Sequence, residues 1–179
     1  MKRCAWLNVN NPIYVKYHDE EWCVPSFDDN YLFEMLVLES FQAGLSWECI
    51  LNKREAFREA FDNFNYDVIS KYDDSKINEL INNKSIVRNK LKIKAAINNA
   101  KVFIKIREEF GSFNNYIWSF NDNKILKHLY LTSNDLSDMI SKDLYRRGMK
   151  FVGTVIIYSY LQAIGMINDH EKDCFLYLK

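Results

Sequence analysis

Glycine and proline are scarce in this chain of 179 residues, 5 and 2 respectively. That is too few for the many tight turns of a β-sandwich or barrel, so the composition favours helices. No internal repeat occurs, nor any linker rich in Ser, Gly or Pro, nor a charge block long enough to be a tail. The chain therefore reads as a single domain over residues 1–179. Nothing at the N-terminus resembles a basic and apolar signal, and the expected location is cytoplasmic. There is no Gly-rich phosphate loop, no serine elbow and no His-Glu-x-x-His, which leaves nucleotide hydrolysis, serine hydrolase and zinc protease chemistry unsupported.

What is present suffices for a core: 48% of residues are apolar and 27% charged, outside the range of disordered chains. The longest uncharged run, Phe151 to Asn168, is interrupted by Thr154, Ser159, Gln162 and Gly165, and is expected to be a buried helix rather than a membrane span. An Asp28-Asp29 start predicts a central helix from Tyr31 to Ala43, apolar on most sides and ended by Gly44. Ser46 is suited to cap a second helix carrying Trp47, Ile50, Leu51, Phe57 and Phe61. Shorter helices are expected near Asp67, Ser75 and Tyr116, and longer ones at Asn134 to Arg147 and Val152 to Ile164, with Gly165 as a C-terminal cap. No alternating strand is visible. The expectation is an all-α fold of seven to nine helices.

Lys plus Arg and Asp plus Glu both count 24, yet the charge is unevenly spread. Between Leu80 and Arg107 lie Lys84, Arg88, Lys90, Lys92, Lys94, Lys101, Lys105 and Arg107, without an acid. With Ile93, Ala96, Ile97, Ala100, Phe103 and Ile104 forming an apolar stripe between them, this segment reads as an amphipathic helix. Its basic face suits phosphate, although a merely solvated lysine-rich face gives the same pattern.

Three further groups of residues bear chemistry. The four cysteines are dispersed, and in a reducing compartment metal ligation is a better use for them than disulfides. His170 and Cys174 are four apart, one helical turn, and Cys4 and His18 complete a Cys2His2 set. A zinc held by all four would tie the two chain ends together and leave no open position for water; the alternative is a buried thiol and a capping imidazole. Glu39 lies on the most apolar helix, between Leu38 and Phe41, where a charge is costly without partners. It is either a functional acid or a structural one paired with an amide or an arginine. Trp6, Tyr14, Tyr17, Trp22 and Trp47 gather flat rings near Glu39 in sequence, a set that suits a flat, electron-poor base as well as an ordinary core.

"RCAW" at Arg3 to Trp6, "YHDEEW" at Tyr17 to Trp22, "QAGLSW" at Gln42 to Trp47, "KFVGT" at Lys150 to Thr154 and "NDH" at Asn168 to His170 resemble the 3-methyladenine DNA glycosylase I family, in the family's order and over nearly the whole chain. The resemblance implies a helix-hairpin-helix DNA glycosylase fold, with the terminal segments forming a zinc-bearing lobe and residues of about 65–150 the lobe with the DNA-binding hairpin. It implies a monofunctional base-excision enzyme that flips 3-methyladenine out of alkylated double-stranded DNA and hydrolyses its glycosidic bond, leaving an abasic site. Glu39 would bond to the flipped base, Tyr17 and Trp47 would stack against it, and Trp6, Tyr14 and Trp22 would shape the pocket. Leu45, after Gly44, would fill the gap left in the duplex. Ser85, Arg88, Lys90, Lys92 and Lys94 of the hairpin region, with Lys150, would hold DNA, and Cys4, His18, His170 and Cys174 the structural zinc. The protein is expected to be a monomer with no membrane partner. Competing readings are a zinc-stabilised helical module that binds lesions without cutting, and a metal hydrolase. The chain departs from the family at Ser85 and Leu91, where the hairpin usually has glycine, at Cys23, also usually glycine, and at Ser40 and Phe41 beside Glu39. The expected consequences are an altered turn and an altered pocket edge.

Overall fold

A computed structural model describes residues 1–178. The described residues are mostly helical. Helix α1 (Pro12–Glu20) starts on the side chain of Asn11, which accepts from the N–H groups of Ile13 and Tyr14, with proline at its first position. Helix α2 (Asp29–Gln42) is capped by Asp28, and Leu32 to Phe41 are all buried. Such a helix has no solvated face and must be enclosed by other elements. The single helix expected after Ser46 is instead two, α3 (Trp47–Leu51) and α4 (Arg54–Ala60), with the break at Asn52 and Lys53. A 3-10 turn (Asp62–Phe64), α5 (Tyr66–Ile69) and α6 (Asp74–Asn82) lead to α7 (Lys90–Phe110), which ends on Gly111 at φ +83°. Helices α8 (Phe113–Ser119), α9 (Asp135–Arg146) and α10 (Thr154–Ala163) complete the set. Helix α1 was not expected from the sequence, although Asn11-Pro12 is a sound start signal.

The all-α expectation is corrected in one detail. Strands β1 (Leu126–Lys127) and β2 (Ile167–Asn168) pair in parallel, Leu126 opposite Ile167, after α10 has ended and the chain has turned at Gly165, the expected cap; the uncharged run from Phe151 to Asn168 is therefore not helical to its end. Two residues per strand are too short to show alternation in a sequence. Among the described residues, no helix is long and apolar enough to cross a membrane.

Helix α2 packs on α3, α7, α8 and α10, so one apolar cluster runs from Leu32 to Ile167. Helices α2 and α10 share this core with α7. A second, smaller cluster joins Cys4, Tyr17, Trp22, Cys23, Leu51, Cys174 and Leu176. The two chain ends meet there: the Phe175 N–H donates to the Lys2 carbonyl at 2.9 Å, and the Ala5 N–H to Glu171 Oε2 at 2.6 Å. The segment after α1 is laced to the end of α10, since the N–H groups of Cys23 and Ser26 donate to the carbonyls of Gln162 and Ile164, each at 3.0 Å.

Gly165 makes this seam close. Its φ is +76°, and a methyl group on it would lie 2.2 Å from the Val24 carbonyl carbon and 2.3 Å from the Pro25 nitrogen, both main-chain atoms. Gly165→Ala is expected to lower stability by about 3 kcal/mol, from left-handed strain and forced separation together. Urea unfolding checks this, and an unchanged midpoint would contradict it.

Candidate functional site

A cavity of about 330 Å³ opens where the two clusters meet. Trp6, Tyr14, Tyr17 and Trp22 come to it from the N-terminal segment and α1, Glu39 and Gln42 from the end of α2, and Trp47 from the start of α3. The rings interlock at their edges: Trp6 lies 4.8 Å from Trp22 and 5.5 Å from Tyr14 between centroids, and Tyr17 lies 5.4 Å from Trp47. Trp6 is 41% exposed, so one aromatic face borders solvent at the opening, while Tyr17 is buried. The five aromatic residues singled out from sequence thus share one cavity with Glu39.

Glu39 is 3% exposed, and its Oε2 has no hydrogen-bond partner among the described residues. Burial pushes its carboxyl up to about 8. The indole Nε1 of Trp47 is likewise buried and unpartnered. One carboxyl oxygen and one N–H donor therefore stand buried at an aromatic cavity with nothing among the described residues to satisfy them, which a polar ligand remedies. Burial also raises the hydroxyls of Tyr14, to about 12, and Tyr17, so both remain neutral.

Beside the cavity, one ligand atom each from Cys4, His18 and Cys174 lies within 4.8 Å of the others, and all three residues are buried. His170 is not in helical register with Cys174, as residues 169–174 are irregular; the shared helical turn expected from their spacing is corrected. The His170 ring nevertheless packs 5.1 Å from that of His18, and its Nε2 is buried without a partner. His18 Nδ1 meets Asp19 Oδ1 at 2.8 Å, and His170 Nδ1 meets Asn168 Oδ1 at 2.9 Å. Each imidazole is thereby oriented through Nδ1, which leaves His170 Nε2 without a partner and turns His18 Nε2 toward Cys174 Sγ at 3.6 Å, as an oxygen behind the ring orients a metal-ligating imidazole. Two thiols and two such imidazoles match the donor set of a tetrahedral zinc.

Gly44, at φ +81°, and Leu45, 40% exposed, form the turn between α2 and α3 beside the cavity. The basic residues divide. Arg88, Lys90, Lys94 and Lys150 are exposed. Lys92 is not: its ammonium donates to the carbonyls of Phe41, at 2.8 Å, and Ala43, at 2.6 Å. It caps the end of α2, where the helix dipole favours a cation, and so departs from the expected contact with DNA. Ser85 and Leu91 have no positive φ, so their turn does not require the missing glycines. Cys23 does sit at φ +64°, a conformation glycine takes more easily. Ser40 Oγ donates to the carbonyls of Leu36 and Phe151, and the Phe41 ring packs on Phe57 at 4.9 Å. Neither lines the cavity, which corrects the expectation of an altered pocket edge.

Gln42, Tyr130, Leu131, Ser159, Gln162, Asp169 and Glu171 also line the cavity and were not assigned from sequence. Asp169 and Gln42 sit inside recognisable motifs; the others bear no local signal, since only the chain's return from β1 and α10 places them here.

Comparison with known proteins agrees with this geometry. The model of the family described as Methyladenine glycosylase matches residues 6–177. DNA-3-methyladenine glycosylase 1 of Escherichia coli (strain K12) is 39% identical over 183 residues, which cover 99% of this chain and 97% of that protein. A solved structure of a 3-methyladenine DNA glycosylase I superposes with a TM-score of 0.94 at 40% identity, over 98% of this chain and 100% of that one. A tyrosine-to-phenylalanine variant of a 3-methyladenine DNA glycosylase I, in complex with 3-methyladenine, superposes with a TM-score of 0.94 at 36% identity, over 100% of this chain and 99% of that one.

The raised Glu39 carboxyl makes a stability prediction. A group that holds its proton more tightly folded than unfolded costs nothing at pH 4 and destabilises the fold progressively between its unfolded value near 4.5 and about 8. Glu39→Gln removes that cost and is expected to gain about 3 kcal/mol on the native protein at pH 7, with the gain vanishing toward pH 4. Thermal or urea unfolding across this range checks it, and a gain independent of pH would contradict it.

Proposed function

The chain belongs to the methyladenine glycosylase family, and from that premise we propose how its cavity removes 3-methyladenine from alkylated DNA. The activity is that of a base-excision repair glycosylase. The observation that carries the residue-level reading is the buried Glu39 carboxyl without a partner, framed by Tyr17 and Trp47. An adenine methylated at N3 is cationic within the nucleotide, so its glycosidic bond is already weak and the departing base needs little protonation. When the flipped base enters, its positive charge opposes the burial that keeps Glu39 protonated, and cation and carboxylate stabilise one another. Tyr17 and Trp47 give the stacking faces, Trp6, Tyr14 and Trp22 shape the pocket, and Leu45 occupies the vacated place in the duplex.

Water then attacks the sugar. The electron pair of the broken glycosidic bond goes to the ring and cancels its charge, and the water's proton passes to solvent. No lysine is among the described residues lining the cavity, which supports hydrolysis without a Schiff base. Helices α6 and α7, joined by residues 83–89, form the helix-hairpin-helix element in this reading. Ser85, Arg88, Lys90, Lys94 and Lys150 hold the phosphates of double-stranded DNA through salt-sensitive contacts. The enzyme acts as a monomer in the cytoplasm. Cys4, His18, His170 and Cys174 hold one structural zinc, whose chemistry is to join the chain ends and to keep both thiols deprotonated. Burial, with the Cys174 thiol and the Glu171 carboxylate nearby, pushes the Cys4 thiol up to about 12, so a thiolate there requires a cation.

Incubation of the protein with methylated duplex DNA is expected to release free 3-methyladenine, identified by chromatography, and Glu39→Gln is expected to slow that release by about 10²-fold while DNA affinity is kept. Release by the variant at the wild-type rate would refute the role of Glu39, and a base-free product mixture from the wild type would refute the activity. Cys4→Ala is expected to lose the bound zinc and to lower the thermal midpoint by about 10 °C with residual base release. Unchanged metal content would refute the zinc site.

A further inference from the structure

A second carboxylate lines the cavity, and unlike Glu39 it is saturated with donors. Asp169 is 5% exposed. Its Oδ1 accepts from the main-chain N–H groups of Leu129, at 2.7 Å, and Tyr130, at 3.2 Å. Its Oδ2 accepts from the Tyr158 hydroxyl, at 2.6 Å, and from Gln162 Nε2, at 2.9 Å. With four donors in place both of its oxygens are engaged, so its effect must pass through what it holds.

What it holds is a strained segment. His128 and Tyr130 adopt φ of +58° and +52°, a region that side chains larger than glycine seldom occupy unless their surroundings impose it. Three further bonds do so: the His128 N–H donates to the Asn168 carbonyl at 2.7 Å, the Tyr130 hydroxyl to the His170 carbonyl at 3.0 Å, and the Leu131 N–H to the Tyr158 hydroxyl at 3.3 Å. Tyr158 thus donates to Asp169 and accepts from the segment at once. The product of this bonding is a wall: Tyr130 and Leu131 line the cavity, yet each remains 52% exposed, which places them at its mouth.

We propose that Asp169 is a positioning residue which, together with Tyr158, sets Tyr130 and Leu131 as the outer wall of the base pocket and thereby determines how tightly and how selectively a flipped base is held. The inference rests on the base-excision reading above. A wall kept in a strained backbone by a carboxylate is rigid, and rigidity is what lets a pocket tell one methylated purine from another by shape.

The test compares wild type, Asp169→Asn and Tyr158→Phe. Binding of free 3-methyladenine is read by tryptophan fluorescence, and release of 3-methyladenine and 3-methylguanine from methylated duplex DNA is read in parallel. The expected result is about tenfold weaker base binding in Asp169→Asn and about threefold in Tyr158→Phe, with a shifted ratio of the two released bases. Affinity for undamaged DNA should remain within about twofold, since the lysines are untouched. A merely structural role would lower the melting midpoint and leave the base ratio unchanged, and that result overturns the proposal. If Asp169→Asn does not fold, Tyr158→Phe decides alone: wild-type base affinity and ratio in that variant overturn the proposal. Failure of the wild type to release any base would overturn the underlying reading instead, so the two failures are distinguishable.

Discussion

A carboxyl group is kept deep in an aromatic cavity with one oxygen unsatisfied, and much of the architecture exists to tolerate that. Glu39 stands near the end of α2, whose residues from Leu32 to Phe41 are all buried. The helix cannot move to solvate the acid, because α3, α7, α8 and α10 surround it. Its other buried acid, Glu34, is neutralised by Arg54 and Arg58 at 2.7 and 2.8 Å, so the two glutamates of one helix have opposite fates. The paired one serves the fold. The unpaired one lines the cavity.

The end of α2 is also where a basic residue abandons the surface. Lys92 caps the carbonyls of Phe41 and Ala43, on either side of the Gln42 that lines the cavity, and so fixes the turn through Gly44 and Leu45 that leads to Trp47. An ammonium from the amphipathic α7 thereby links that helix to the cavity. On the other side, the consecutive residues Asn168, Asp169 and His170 perform three tasks. Asn168 pairs in β2 and orients His170, Asp169 braces the segment from His128 to Leu131, and His170 belongs to the proposed zinc cluster. Three adjacent side chains therefore connect the knot of the chain ends to the wall of the cavity.

The helices were legible wherever a cap and a long apolar run coincide, as at Asp28 before α2, Asn134 before α9 and Gly165 after α10. The signal misleads where it is short or shared. Ser46 does start a helix, yet α3 lasts only five residues, because the apolar stripe continues into α4 across a break that periodicity does not register. The paired strands escape notice for the same reason, as two residues cannot alternate. At the site, Glu39 and the five aromatic residues were visible because a charge in an apolar run and a crowd of flat rings are both anomalies that composition exposes. Tyr130, Leu131, Ser159 and Gln162 look like ordinary surface or core residues until the chain folds.

Sequence by itself determined the helical class, the buried acid, the gathering of rings and the resemblance that names the chemistry, since each depends on residue type and near spacing. Tertiary structure alone decided that Glu39 lacks a partner, that Lys92 turns inward and that Asp169 is saturated by donors from the segment 129–130, from Tyr158 and from Gln162. The reason is physical: a side chain's charge state and bonding are set by what surrounds it in space, and those neighbours are remote along the chain, 51 positions for Lys92 and Phe41.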